Sequence, residues 1–230
     1  DTARIWDTGT GEELVKITNE GYGGSVTPVC FSPDSKKILG KKVISLNVGG
    51  FHTVQIWDAE TGKELLKTEE YEFSVSPSCF SPDGKKVLGF GSTGKSSINS
   101  ISAIIWDAET GKELIKSEDM GYSGISFSPD SKKLLVCLND TVLIWDAKTG
   151  KKLLKIEKVY NSCFSIDRKK ILGKMGDTAV IWDAETGKEL LKIEEVGYNL
   201  LFCFSPDGKK VLGVAGKGRE RIVARIWDLE

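Results

Sequence analysis

The chain has 230 residues, 40% hydrophobic and 28% charged, a balance typical of a soluble globular protein with enough apolar residues for a sizeable core. Its 32 lysines and arginines against 33 acids give a formal net charge of −1, so global charge does not favour nucleic acid or an anionic membrane as a partner. No apolar run has the length of a membrane span or the pattern of a secretory signal.

One four-part pattern recurs along the chain and predicts four short strands per unit. A first strand leads into Phe-Ser-Pro, and Asp-Gly or Asp-Ser turns the chain into a second strand such as KKVLG. A third strand rich in β-branched residues ends in Ile-Trp-Asp, Glu-Thr-Gly reverses the chain, and ELLKI forms the fourth. The Phe-Ser signature begins at residues 31, 80, 127, 164 and 204, and the tryptophans of Ile-Trp-Asp are Trp6, Trp57, Trp106, Trp145, Trp182 and Trp227.

These tryptophans are 37 to 51 residues apart, and a repeat of about 40 residues with four strands and a Trp-Asp pair is typical of a propeller blade. On these two motifs the whole chain resembles the WD-repeat β-propeller family. The resemblance implies an all-β fold, a β-propeller of four-stranded antiparallel blades, with residues 1–230 as a single domain. The chain departs from the family in lacking the usual Gly-His pair before the first strand, so the hydrogen bond from that histidine cannot be carried over.

The number of blades follows from counting the two signatures. Five complete first-strand signatures favour five blades, and the alternative is a fragment of a six- or seven-bladed ring. We expect residues 13–18 to close the ring by pairing, as a fourth strand, with the C-terminal blade, since rings of this kind join strands from both termini. Residues 1–7 are then a surplus strand, or part of a longer array.

A match to the nucleotide-binding pattern GxxxxGK[ST] occurs at residues 89–96, GFGSTGKS. That pattern binds phosphate when it follows a strand and opens a helix, whose N-terminal amides converge on the ligand. Here the following residues, INSISAIIWD, are β-branched and lack a helical period. The match is therefore interpreted as coincidental.

Three connections between second and third strands are longer than the others, and loops on a rigid repeat scaffold commonly carry recognition. They contain KKVISLNVGGFH, FGSTGKSSINS and VAGKGRERIV. We expect them to form a mildly basic surface that binds a protein or acidic peptide, while longer solvated hairpins are the alternative. The candidate partner-binding residues are Lys41, Lys42, Phe51, Phe90, Lys95, Lys217, Arg219 and Arg221.

Each unit also has one tyrosine before or at its first strand. We expect these residues to lie at the mouth of a central channel, either replacing the absent histidine as hydrogen-bond partners or forming a ligand-facing aromatic ring. The five are Tyr22, Tyr71, Tyr122, Tyr160 and Tyr198.

No residue pattern indicates catalysis, a cofactor or a metal. Four of the five cysteines precede a phenylalanine at the same repeat position, which favours a small buried strand residue over a ring of metal-binding thiols. An odd number of spaced cysteines fits a reducing, cytoplasmic compartment. The sequence therefore predicts a non-catalytic protein–protein interaction scaffold. The alternatives are a structural or engineered repeat protein without an evolved partner, favoured by the uniform units, and a binder of small sugar-like ligands at the channel mouth.

Overall fold

The computed structural model describes residues 2–18, 24–45, 50–71, 74–92, 101–117, 124–138, 140–167, 169–194, 203–215 and 223–229. These residues form 21 β-strands, and no helix occurs among them. The chain divides into two compact units, Asp1–Gly121 and Tyr122–Glu230. All strand pairs are antiparallel, as expected for strands joined by tight turns.

The first unit contains three sheets. Strands β1 (Thr2–Trp6) and β2 (Glu13–Thr18) form a two-stranded sheet. The second sheet has the order β3 (Ser25–Phe31), β4 (Lys37–Ser45), β5 (Gly50–Asp58) and β6 (Glu64–Lys67). The third sheet comprises β7 (Val75–Phe80), β8 (Lys86–Ser92), β9 (Ile101–Asp107) and β10 (Glu113–Lys116).

The second unit also contains three sheets. Its first sheet comprises β11 (Gly124–Phe127), β12 (Lys133–Leu138), β13 (Thr141–Asp146) and β14 (Lys152–Glu157). Its second comprises β15 (Tyr160–Phe164), β16 (Lys170–Met175), β17 (Thr178–Asp183) and β18 (Glu189–Ile193). The described strands of the last sheet are β19 (Cys203–Phe204), β20 (Lys210–Ala215) and β21 (Val223–Asp228). The four-strand pattern predicted from the repeat is thus confirmed in four complete sheets.

The turn between first and second strands is held by a serine and an aspartate from the repeat motif. In the β3–β4 turn the Ser32 hydroxyl donates to Asp34 Oδ1 at 2.6 Å and accepts from the Lys37 N–H at 2.9 Å. Both side chains therefore satisfy polar groups that a tight reversal would leave unpaired. The same serine–aspartate bond recurs at Ser81–Asp83, Ser128–Asp130, Ser165–Asp167 and Ser205–Asp207.

The aspartate of Ile-Trp-Asp organises the turn between third and fourth strands. Asp58 Oδ1 accepts from the backbone N–H of Thr61 at 2.8 Å and from its hydroxyl at 2.7 Å, and Gly62 adopts a left-handed φ of 70°. These bonds stabilise the ionised carboxylate and lower the pKa of Asp58 below its usual 3.8. The Thr-Gly-Lys sequences of the repeat are therefore structural turn residues at this position.

The apolar core lies between the faces of neighbouring sheets. In the first unit, Val15 and Ile17 of β2 pack against one face of the β3–β6 sheet, on Ile38 and Trp57. The opposite face of that sheet packs on the β7–β10 sheet through residues such as Val75. In the second unit the equivalent clusters join the β11–β14 sheet to the β15–β18 sheet, and the latter to β19–β21.

A glycine in the second strand lets the tryptophan of the same sheet pack closely. A Cβ built on Gly89 lies 2.8 Å from Trp106 Cζ3 and 2.7 Å from the Ser76 carbonyl oxygen. Gly40 is equally restricted, with Trp57 Cζ3 at 2.9 Å. Neither glycine has space for a side chain.

Two strand boundaries differ from the prediction. The connection KKVISLNVGGFH was expected to be a loop, but β4 extends to Ser45 and β5 begins at Gly50, so Lys41, Lys42 and Phe51 belong to strands. Phe90 likewise lies in β8. In the first connection the β-branched residues Val43 and Ile44 continue the ladder instead of leaving it.

The pairing of residues 13–18 with the C-terminal blade stays a prediction. In the structure β2 pairs with β1, with Ile5 opposite Val15. β21 pairs with β20.

Candidate interaction surface

The β4–β5 hairpin extends beyond the equivalent hairpins of the second unit. Strands β4 and β5 have nine residues each, whereas β12, β13, β16 and β17 have six each. Lys41, Lys42 and Phe51 lie in the end of this hairpin, and all three are partly exposed. The structure thus brings three of the predicted partner-binding residues onto one element.

Strand alternation divides those residues between the two faces of the sheet. Lys42 pairs with Thr53 and Ile44 pairs with Phe51, which places Lys42 and Phe51 on one face of the sheet. This is the face on which β2 packs, at Ile38 and Trp57. Lys41 pairs with Val54, on the face that packs against the β7–β10 sheet. The sequence predicted a single basic patch, but adjacent lysines in one strand cannot share a face.

The remaining candidate residues are only partly described. Phe90 is half-buried in β8 and pairs with Ala103. It occupies the same position after the strand glycine as Lys41, because Gly89 matches Gly40. Lys95, Lys217, Arg219 and Arg221 lie outside the described residues.

Tyr71 has the structural role that the missing histidine suggested. The indole N–H of Trp106 donates to Tyr71 Oη at 2.8 Å, and the two rings make an edge-to-face contact with centroids 6.2 Å apart. Tyr71 Oη in turn donates to Glu113 Oε2 at 3.2 Å. Burial is the main cause that raises the pKa of Tyr71 to about 12, so the hydroxyl remains a hydrogen-bond donor at neutral pH.

The backbone of Tyr71 pairs with β5, so that Tyr71 joins β5 to the sheet that contains Trp106. His52 N–H donates to the Tyr71 carbonyl and Tyr71 N–H donates to the His52 carbonyl, both at 2.9 Å. Burial lowers the pKa of His52, and the nearby Lys41 ammonium lowers it further, so His52 is neutral at neutral pH. This bridge holds Tyr71 beside the end of β5, and the Tyr71 hydroxyl contacts Trp106 of the next sheet.

The second described tyrosine is different. Tyr160 lies within β15, opposite Lys174, and 47% of it is exposed. Its hydroxyl makes no hydrogen bond to a tryptophan within the described part of the chain. Tyr22, Tyr122 and Tyr198 lie outside the described residues, so their place at a channel mouth stays a prediction.

A polar cleft that the sequence did not single out lies in the first unit, between β2 and the β5–β6 turn. Its volume is about 370 Å³, and Trp57, Gln55 and Lys42 line it from the β3–β6 sheet. Lys63 lines it from the turn, Glu64 from the start of β6, and Lys16 from β2. The sequence signal for this cleft is a polar residue, Gln55, two residues before Trp57. The third strands of the other complete sheets have apolar residues at this position, namely Ile104, Leu143 and Val180.

The cysteines that precede phenylalanine occupy equivalent positions in first strands, opposite Leu39, Leu88, Leu172 and Leu212. All five cysteines are free thiols. Burial raises the pKa of Cys163 to about 11, which keeps that thiol protonated and unreactive. Within the described ranges, no three His, Cys, Asp or Glu side chains are grouped so that they could hold a metal ion.

The GxxxxGK[ST] match begins in a strand. Gly89, Gly91 and Ser92 belong to β8, and Gly89 is required by its contact with Trp106. Residues 93–100 lie outside the described part. No helix long and apolar enough to cross a membrane is found among the described residues.

The sheets of this chain are those of a β-propeller. The chain superimposes with a TM-score of 0.63 on a chain of the mitotic checkpoint complex, with 15% identity, covering 97% of this chain and 67% of the other. It matches the β-propeller domain of Myceliophteria thermophila Cps50 (Swd1) at a TM-score of 0.58 and 18% identity, over 86% of this chain and 64% of that one.

A computationally designed protein, Ika8, gives a TM-score of 0.56 and 19% identity, over 98% of this chain and 77% of that one. No family profile and no curated protein matches the sequence. At these identities the similarity defines the fold, an all-β propeller of about five blades, and function has to be argued from the residues of this chain.

Proposed function

We propose that this propeller is a non-catalytic protein–protein interaction scaffold, and that the end of the β4–β5 hairpin binds an acidic peptide or protein segment. The observation that carries the proposal is the extension of this hairpin beyond its equivalents, with Lys41, Lys42 and Phe51 partly exposed in the extension. Lys42 and Phe51 on one face supply both the charge and the apolar contact that an acidic segment with an apolar anchor requires, and Lys41 adds a cation on the other face.

The division of the lysines between two faces gives the proposal a specific form. Lys42 and Phe51 contact the partner from the side of β2, while Lys41 contributes from the face that packs against the β7–β10 sheet. Phe90 lies on the other face of the β7–β10 sheet, because it pairs with Ala103 whereas Val87 and Trp106 face the β3–β6 sheet. A peptide that lies across the hairpin end meets both faces. Lys95, Lys217, Arg219 and Arg221 belong to the same proposed basic surface.

Binding of labelled acidic peptides, measured by fluorescence anisotropy, tests this function. The panel pairs each peptide with a version in which Asp and Glu become Asn and Gln. Each exposed ion pair contributes up to about 1 kcal/mol, so replacing Lys41→Glu and Lys42→Glu together weakens binding by about tenfold. The matched control reverses Lys37, at the other end of the same strand, and Lys36, in the turn before it.

Three results would contradict the proposal. They are equal affinity for acidic and amidated peptides, equal effects of the two double reversals, and no binding to any peptide of the panel. The last result favours a structural propeller without an evolved partner. A computationally designed protein that has a similar fold supports this alternative.

We also propose that residues 13–18 complete the C-terminal blade. The sequence ARIWD occurs at residues 3–7 and again at 224–228, so β21 carries the same side chains that pair with β2 in the β1–β2 hairpin. Ile226 is 69% exposed, whereas Ile56, its equivalent in the β3–β6 sheet, is buried. Deletion of residues 1–7 should therefore leave the amides of β2 protected from hydrogen exchange, and loss of that protection would refute the pairing.

The place of action is proposed to be a reducing compartment such as the cytoplasm. The support is the set of five free cysteines, all in or next to the packed sheets.

A further inference from the structure

The polar cleft between β2 and the β5–β6 turn has an excess of positive charge. Lys42 lies on the same face of the sheet as Gln55, Lys63 lies in the turn, and Lys16 lies at the rim on β2. Among the described residues that line the cleft, Glu64 is the one carboxylate. None of the three lysines forms an ion pair with another residue of the described chain.

Gln55 is the residue that marks this cleft as a binding site. It is 1% exposed and lines the cleft, and its Oε1 has no hydrogen-bond partner among the residues that the structure describes. A buried amide without a partner destabilises a fold, so buried polar groups are normally paired. The sheet does not require a polar side chain here, because the equivalent residues Ile104, Leu143 and Val180 are aliphatic and buried. A ligand that donates a hydrogen bond to Gln55 would satisfy the unpaired group.

Charge and size define the class of ligand. Three ammonium groups against one carboxylate favour a dianion, and a phosphate monoester carries a charge of about −1.5 to −2 at neutral pH. A volume of about 370 Å³ is within the range of small-molecule sites and exceeds what a bare phosphate fills. We propose that this cleft binds a small phosphorylated alcohol, whose phosphate contacts Lys42 and Lys63 and whose hydroxyl group donates to Gln55 Oε1.

Isothermal titration calorimetry with three probes separates these contributions. The probes are glycerol phosphate, inorganic phosphate and glycerol. The proposal expects saturable binding of glycerol phosphate, weaker binding of inorganic phosphate, and none of glycerol. The affinity for glycerol phosphate and for inorganic phosphate should fall as the salt concentration rises, because the lysines are near the surface.

Two substitutions with matched controls assign the residues. Gln55→Leu introduces the residue found at position 143. It should lower the affinity for glycerol phosphate by about tenfold, to a value similar to that for inorganic phosphate. The affinity for inorganic phosphate itself should not change. Lys63→Gln should lower the affinity for both anions. Lys112 occupies the same position in the next Glu-Thr-Gly-Lys turn, and Lys112→Gln should lower the affinity for neither.

The Gln55→Leu variant should also melt at a temperature no lower than that of the parent, since it removes a buried amide oxygen that lacks a hydrogen-bond partner among the described residues. This separates lost binding from lost folding. Absence of saturable binding for both anions up to about 10 mM, a concentration that detects even millimolar affinity, would overturn the proposal. So would unchanged glycerol phosphate affinity in Gln55→Leu, or equal losses from Lys63→Gln and Lys112→Gln.

Discussion

Substitution Gly89→Ala tests the packing between the second strand and the tryptophan of its sheet. The added Cβ would lie 2.7 Å from the Ser76 carbonyl oxygen, 2.8 Å from Trp106 Cζ3 and 2.9 Å from Pro77 Cα. Two of these atoms belong to backbone and the third to a fully buried ring, so none can move without shifting the sheet. Overpacking of this kind costs about 1–3 kcal/mol. The loss of unfolded-state entropy on replacing glycine offsets about 0.4–1 kcal/mol of that.

The net expectation is a decrease of about 1–2 kcal/mol in the free energy of unfolding, measured by urea denaturation with tryptophan fluorescence. Gly9→Ala is the control, because its Cβ would meet only the exposed Asp7 carboxylate, at 3.3 Å. It should change stability by less than about 0.5 kcal/mol. A Gly89→Ala protein as stable as the parent would refute the packing argument.

Three further perturbations have expected outcomes. Tyr71→Phe removes the acceptor of the buried Trp106 indole and should cost about 1–3 kcal/mol in urea denaturation, whereas Tyr160→Phe should be nearly neutral; equal effects would contradict the distinction. Ser35→Gly should raise the melting temperature, since Ser35 has a φ of 61° and a non-glycine residue costs about 1–2 kcal/mol there; an unchanged or lower value would contradict this. Because hydrogen bonds from Thr61 hold the pKa of Asp58 below 3.8, its contribution to stability is present above pH 3.8 and is lost as the pH falls through the lower folded value. Urea titrations at decreasing pH should show this loss, and Asp58→Asn should make it shallower; an identical slope would contradict it.

The strands and turns of this chain could be predicted because the residues that determine them lie close together in the sequence of each repeat. Pro-Asp-Gly and Asp-Ala-Glu-Thr-Gly form turns through hydrogen bonds within five residues, such as those of Asp58 with Thr61. Strands of alternating and β-branched residues follow from the same short range. These features need no information from the rest of the chain.

The extent of the β4–β5 hairpin could not be predicted in that way. The residues between Gly40 and Phe51 are equally compatible with a loop or a longer ladder, and the choice depends on cross-strand pairs such as Val43 with His52. Once the ladder extends, alternation separates Lys41 from Lys42, which the loop interpretation had placed together.

The polar cleft was missed for a different reason. Gln55 is one polar residue in a strand of mostly apolar residues, and the sequence does not show that its carbonyl would be buried without a partner. The role of Tyr71 was suggested by the absent histidine, but its difference from Tyr160 depends on which tyrosine packs against a tryptophan. Such contacts arise from packing between sheets.

The most direct test of the proposed function is a map of backbone amide chemical shifts during titration with an acidic peptide. We predict that the perturbed amides cluster in residues 41–45, 50–52 and 90–92, at the end of the β4–β5 hairpin and at the end of β8 in the neighbouring sheet. Shifts centred on the opposite turns, at residues 33–36 and 59–62, or spread evenly over the chain, would contradict the account.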